Sequence, residues 1–115
     1  MRVLIVDDHP IFRRFASRLL FEAGFAVVGE AADAEGALRE AERLRPDVVL
    51  LDVVLPDRSG LAVARELAGS RAAPRVVLIS SRSRSDFGDS FEWPLGCSFL
   101  PKHELTAARL RDALQ

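Results

Sequence analysis

Three short runs of uninterrupted Val, Leu and Ile constrain this chain most: Val3 to Val6, Val48 to Leu51 and Val76 to Ile79. A strand with one wet face alternates apolar and polar residues. A continuous apolar run suits a strand buried on both faces of a parallel sheet. Phe99 with Leu100 forms a fourth, shorter run, and Ala26 to Glu30, after the Gly24 stop, is a weaker strand candidate.

Helical patterns lie between the runs. Ile11, Phe12, Phe15, Leu19 and Leu20 recur at helical spacing, with Gly24 as a plausible C-cap. Ala34 to Leu44 is rich in strong helix formers, with Asp33 as candidate N-cap and Pro46 beyond the end. Leu61 to Leu67, opened by Ser59 or Gly60, and Glu104 to Leu114 read as two further helices. Strands alternating with helices predict an α/β sandwich built on a parallel sheet. The exception is Ser81 to Gly96. Topology wants a crossover helix there, but the segment is rich in Ser and holds Gly88 and Pro94. Phe87 and Phe91, spaced i, i+4, allow a short helix ending by Glu92, because Pro94 holds Trp93 out of the α region.

Composition narrows the class. A chain of 115 residues, 49% of them apolar, fits one domain over residues 1–115 with a core of its own. The single Cys97 excludes a disulfide-stapled scaffold and fits a reducing, cytoplasmic setting. The apolar start, Val3 to Val6, is too short for a signal peptide or a membrane span. A net charge of −1 gives no general field for nucleic acid or anionic lipid.

The residues after each apolar run carry the chemistry. Val6 is followed by Asp7 and Asp8, Leu51 by Asp52, Ile79 by Ser80, and Leu100, after Pro101, by Lys102, the only Lys in the chain. In open α/β sheets, ligands sit beyond the carboxyl ends of the strands. Three carboxylates brought together there repel one another unless a cation sits among them, and an all-oxygen set suits Mg²⁺. A hydroxyl and a compact ammonium opposite the metal suit a phosphoryl group. Any one of these Asp residues alone reads as a turn or cap residue; the five together do not.

At these positions the sequence resembles the receiver domain of bacterial response regulators. VLIVDDHPIFR resembles the acidic pair, and VVLLDVVLPDRSG the phosphoacceptor motif, with Asp52, Pro56 and Gly60. VVLIS resembles the fourth strand with Ser80 as switch hydroxyl, and SFLPK the fifth, with Phe99 as switch aromatic and Lys102 as the site Lys. The DDHPIFR opening and the Lys-His-Glu-Leu stretch look most like receivers that precede LuxR-type helix-turn-helix domains. The resemblance implies a flavodoxin-like (βα)5 three-layer sandwich with strand order 2-1-3-4-5, here with an irregular fourth helix. It implies Mg²⁺, with Mn²⁺ able to substitute, among Asp8, Asp52 and the Val54 carbonyl, and Asp7 reaching the ion through water. It implies phosphorylation of Asp52 by a sensor histidine kinase. A homodimer or output partner would use the face of the fourth helix, fifth strand and fifth helix. The chain itself is expected to catalyse nothing beyond its own phosphorylation and dephosphorylation, and to bind neither nucleic acid nor membrane. With no DNA-binding domain after Gln115, it is expected to be a stand-alone receiver or one cut from a longer regulator.

Two rivals remain at this level. An Asp-nucleophile phosphatase of the haloacid-dehalogenase type also combines Asp, Ser and Lys, but it carries D-x-D after its first strand, a motif missing here. The other rival is an interaction module that has lost phosphorylation. Smaller expectations concern His9, a solvated residue rather than a metal ligand or phosphate carrier, and His103, a cap of the last helix. Cys97 is expected to be a small core residue, and Trp93 is either core or an exposed partner anchor.

Overall fold

The computed structural model describes residues 1–71, 73–82, 84–87, 93–94 and 96–115. Five strands form one parallel sheet: β1 (Arg2–Val6), β2 (Ala26–Ala31), β3 (Val48–Asp52), β4 (Arg75–Ser80) and β5 (Cys97–Pro101). Their order is β2-β1-β3-β4-β5, as expected for a flavodoxin-like domain. Among the described residues there are four α-helices: α1 (Pro10–Glu22), α2 (Ala34–Leu44), α3 (Gly60–Ala68) and α4 (Ala107–Ala113).

The continuous apolar runs are buried on both faces, with alternate side chains feeding two cores. Leu4, Val6, Val49, Leu51 and Leu78 pack with α2 and α3, whereas Val3, Ile5, Val48, Leu50 and Ile79 pack with α1 and α4. Register then fixes the site. Val6 pairs with Leu51, Asp52 with Ile79, and Ser80 with Pro101, so the residues at or just beyond all four strand ends meet at one edge.

The caps follow local chemistry. Asp33 accepts from the Gly36 N–H at 2.7 Å and starts α2. α1 ends in a Schellman motif, in which Gly24 (φ +90°) donates to the Phe21 carbonyl and Phe25 to that of Leu20. Gly24 therefore lies just past the helix, whose C-cap is Ala23.

Several expectations need correction. The last helix starts at Ala107, not Glu104: Thr106 accepts from the Arg109 N–H and caps it, while Lys102–Glu104 forms a 3₁₀ turn. His103 is exposed in that turn and caps nothing. The apolar stripe of α1 is wider than the face it buries. Ala16 and Leu20 are fully buried, but Ile11 is 82% and Phe15 51% exposed.

The segment from Ser81 to Gly96 is described only in part. Its described part holds a 3₁₀ turn at Arg84–Phe87, and the expected helix end at Glu92 lies outside the described residues. Trp93 takes the core alternative. Its ring lies 4.7 Å from that of Phe99 and 5.3 Å from that of Phe87, and all three pack against the α2–α3 core. Cys97, half-buried, joins the same core, and burial raises its thiol pKa. Trp93 is the only Trp, so its fluorescence reports on this packing alone. Its emission is expected to be blue-shifted from that of a water-exposed indole; the spectrum of a wet indole in the folded protein would contradict this packing.

Candidate functional site

The loop after β1, the last residues of β3 and β4 and the turn after β5 bring Asp7, Asp8, Asp52, Ser80 and Lys102 to one edge. Asp7 and Asp52 are buried, at 0% and 3% exposure, because each directly follows or ends a central strand. Lys102 Nζ lies 2.6 Å from Asp7 Oδ2 and 3.1 Å from Asp52 Oδ2, bridging the two carboxylates. The chain thus supplies one cation of its own to the acid cluster. Asp8 is partly exposed, and its Oδ1 faces His9 Nδ1 at 3.1 Å.

Asp52 is held at both oxygens, since Oδ1 accepts from the Val54 N–H at 3.0 Å and Oδ2 meets Lys102. Burial pushes the Asp52 carboxyl above its ordinary range; the Val54 N–H and Lys102 act against this, and the charge of Asp7 adds to it. The larger cause is therefore desolvation rather than repulsion among the acids. Burial also works to lower the Lys102 pKa, but the two carboxylates outweigh it and leave the ammonium favoured.

Ser80 is buried on β4, beside the β3 end, and its Oγ accepts from the Arg82 N–H at 3.1 Å. That bond uses a lone pair and leaves the hydroxyl proton for another acceptor. Phe99 sits on β5 with its ring against Trp93 and, at 5.9 Å, Phe87.

The site fits a hard divalent cation. One ligand atom from each of Asp7, Asp8, His9 and Asp52 lies within 4.8 Å of the others. Asp7 Oδ2 is buried, with the Lys102 ammonium 2.6 Å away as its partner. Carboxylate oxygens of this kind suit Mg²⁺.

Three residues escaped the sequence reading. Phe12, counted as a helix core position, lies under Lys102, with Nζ 4.6 Å from its ring centroid. Arg13 Nη1 donates to the Asp7 carbonyl at 2.6 Å. Asp57 reaches from the β3–α3 loop to the start of α2, where its carboxylate accepts from the N–H groups of Ala34 (2.8 Å) and Glu35 (3.1 Å). A second carboxylate at a helix N-terminus was foreseeable as chemistry, but nothing near Asp57 in sequence names the helix. The structure gives the reason for Gly60 in the phosphoacceptor motif. A Cβ there would overlap the Asp52 backbone carbonyl.

A five-stranded parallel sheet of this order with an acid-and-Lys edge defines a flavodoxin-like signalling domain. The chain belongs to the response regulator receiver domain family, whose model matches residues 3–114. It is similar to the signal receiver domain of the response regulator NarL from Mycobacterium tuberculosis: 34% identity, TM-score 0.83, covering 98% of this chain and 91% of that one. It is also similar to a LuxR-family two-component response regulator from Aurantimonas: 32% identity, TM-score 0.78, covering 98% and 81%. A curated relative, protein-glutamate methylesterase/protein-glutamine glutaminase 5 of Myxococcus xanthus, is 49% identical over 82 residues, 70% of this chain and 24% of that protein. The chain spans about a fifth to a half of the length of the curated relatives it matches. No helix among the described residues is long and apolar enough to cross a membrane.

Two stability predictions follow from the charges. A folded-state Asp52 pKa above the unfolded value, about 3.9, means that the unfolded chain releases this proton first. Stability from this group therefore falls as pH rises from the unfolded pKa through the folded one, then levels off. At pH 7 in EDTA, Asp52→Asn is expected to unfold at higher urea than wild type and to gain less from Mg²⁺; lower stability of the variant in EDTA would refute the buried-charge account. Asp57 has the opposite sign. Its bonds to Ala34, foremost, and Glu35 hold its carboxyl below the ordinary range. That contribution is present above the unfolded pKa and lost as pH falls through the folded one. Asp57→Ala should lower the melting temperature at pH 7, and the gap from wild type should close on acidification. A gap independent of pH would mean that the carboxylate does not act as a charged cap.

Proposed function

We propose that this chain is the phosphoacceptor receiver of a two-component system. Asp52 accepts a phosphoryl group from a sensor histidine kinase in a Mg²⁺-dependent reaction, and the product shifts a two-state switch that controls a partner or an output domain. The observation that carries this reading is the buried Asp52 carboxylate held between the Val54 N–H and the Lys102 ammonium. A nucleophile needs its lone pairs fixed in direction, and the charge that accumulates around it needs a fixed counter-charge.

In this reading Asp8, Asp52 and the Val54 carbonyl hold the metal, with Asp7 acting through water. When bound, Mg²⁺ neutralises charge on the transferring phosphoryl oxygens. Lys102 then serves the acyl phosphate as counter-ion, and the Ser80 hydroxyl donates to it. Movement of Ser80 toward the phosphoryl group leaves room for Phe99 to turn inward. Phe99 can do so only by leaving Trp93 and Phe87, so the switch reaches the irregular segment. The whole of residues 1–115 acts as one receiver domain, in the cytoplasm. Its partner or second copy uses the face of β5, α4 and the segment before β5.

Mass spectrometry after incubation with acetyl phosphate and Mg²⁺ tests the assignment. A single phosphoryl adduct is expected on wild type and none on Asp52→Asn. An adduct that persists in the variant would overturn Asp52 as acceptor. A folded wild type that takes up no phosphate would turn the reading toward a phosphorylation-independent interaction module, and turnover of a generic phosphate ester would turn it toward a phosphatase.

A further inference from the structure

Asp7 and Asp8 share one peptide bond, and the orientation of that peptide sets where Asp8 points. Because the unit is planar, holding its carbonyl restrains the two torsions on either side of it, ψ of Asp7 and φ of Asp8. That carbonyl accepts from Arg13 Nη1 at 2.6 Å. On the other side of Asp7, its N–H donates to the Ala31 carbonyl of β2 at 3.0 Å. At the Asp8 carboxylate itself the contact is with the solvent-exposed ring of His9, at 3.1 Å, and an exposed pair of this kind holds a side chain only loosely. The backbone bond from Arg13 is therefore the firmer restraint on the acid pair.

Arg13 is itself held. Its side chain is 20% exposed, and its Nε meets Glu30 Oε1 of β2 at 3.1 Å. Register sets Glu30 opposite Ile5 and Ala31 opposite Val6. The carboxylate that grips the guanidinium and the carbonyl that grips the Asp7 N–H thus come from consecutive residues of one strand. A guanidinium is rigid and planar, so bonding two of its nitrogens at once leaves it little freedom to turn. We propose that Arg13, anchored by Glu30, is a positioning residue for the metal: it fixes the Asp7–Asp8 peptide so that the Asp8 carboxylate stays with Asp7 and Asp52 around the pocket before the ion arrives. This inference rests on the reading that the pocket binds Mg²⁺ for phosphotransfer. Charge and positioning predict opposite signs here. As a cation beside a cation site, Arg13 weakens Mg²⁺ by repulsion; as a clamp on the ligands, it strengthens it.

Calorimetric titration of Mg²⁺ into wild type, Arg13→Met and the double variant Arg13→Met with Glu30→Met reads that sign. Methionine keeps an apolar stem without the charge, and the double variant restores the wild-type net charge. Both variants are expected to bind Mg²⁺ about tenfold more weakly than wild type, the scale of loss when a group that orients a metal ligand is removed. Phosphorylation by acetyl phosphate is expected to slow in step at low Mg²⁺, with the gap from wild type narrowing as Mg²⁺ saturates. Unchanged or tighter binding in Arg13→Met overturns the clamp. A loss cured in the double variant traces it to an unpaired Glu30 and overturns it too, as does a phosphorylation deficit undiminished at saturating Mg²⁺. Wild type that binds Mg²⁺ but takes up no phosphate overturns the phosphoacceptor reading and leaves the Mg²⁺ comparison to decide on Arg13; no saturable Mg²⁺ binding by wild type overturns both. One readout depends on no variant folding. In NMR spectra of wild type, the Arg13 guanidinium is expected to give resolved, slowly exchanging Nη–H signals, and a freely rotating guanidinium overturns the clamp.

Discussion

One ammonium group holds the acidic edge together. Lys102 leaves the end of β5 and meets carboxylates from the ends of β1 and β3, two strands that are direct neighbours in the sheet. Two like charges about 4 Å apart cost roughly 4 kcal/mol at an effective dielectric of about 20, and both carboxylates here are also cut off from water. The ammonium offsets this, and Phe12 beneath it supplies the negative face of an aromatic ring. Lys suits this place better than the Arg that dominates the rest of the chain, because a point charge can serve two separate carboxylates from one atom. Everything else at the edge depends on the sheet register that brings these strand ends level.

The loop after β3 is built to stay where it is. Gly60 lets α3 start against the Asp52 backbone, with its N–H on the Val53 carbonyl at 2.7 Å. Ser59 caps α3, and Asp57 ties the same loop to the first turn of α2. The residue proposed to react therefore ends a central strand and leads into a loop fastened at both ends, which keeps its carboxylate oriented without help from a ligand. Where the β4–β5 crossover calls for a fourth helix, the described residues show a 3₁₀ turn and a ring contact among Phe87, Trp93 and Phe99. Among the described residues, the rings of Trp93 and Phe87 pack against Phe99 there.

The amino-acid sequence by itself determined the strands, the sandwich and the membership of the edge. An uninterrupted apolar run has only one favourable place, the middle of a covered sheet, and the first charged residue after it has to leave that layer. This is why Asp7, Asp52, Ser80 and Lys102 were legible without coordinates. Tertiary structure decided what depends on pairs. Asp57 caps a helix that begins more than twenty residues earlier, Phe12 serves Lys102 rather than the core alone, and Thr106 outcompetes Glu104 for the start of α4. It also decided which part of the apolar stripe of α1 is buried, leaving Ile11 and Phe15 outside. Hydrophobic period encodes each residue's own preference for burial, but it does not encode which distant partner will be waiting, and charge and hydrogen bonding are properties of the partner.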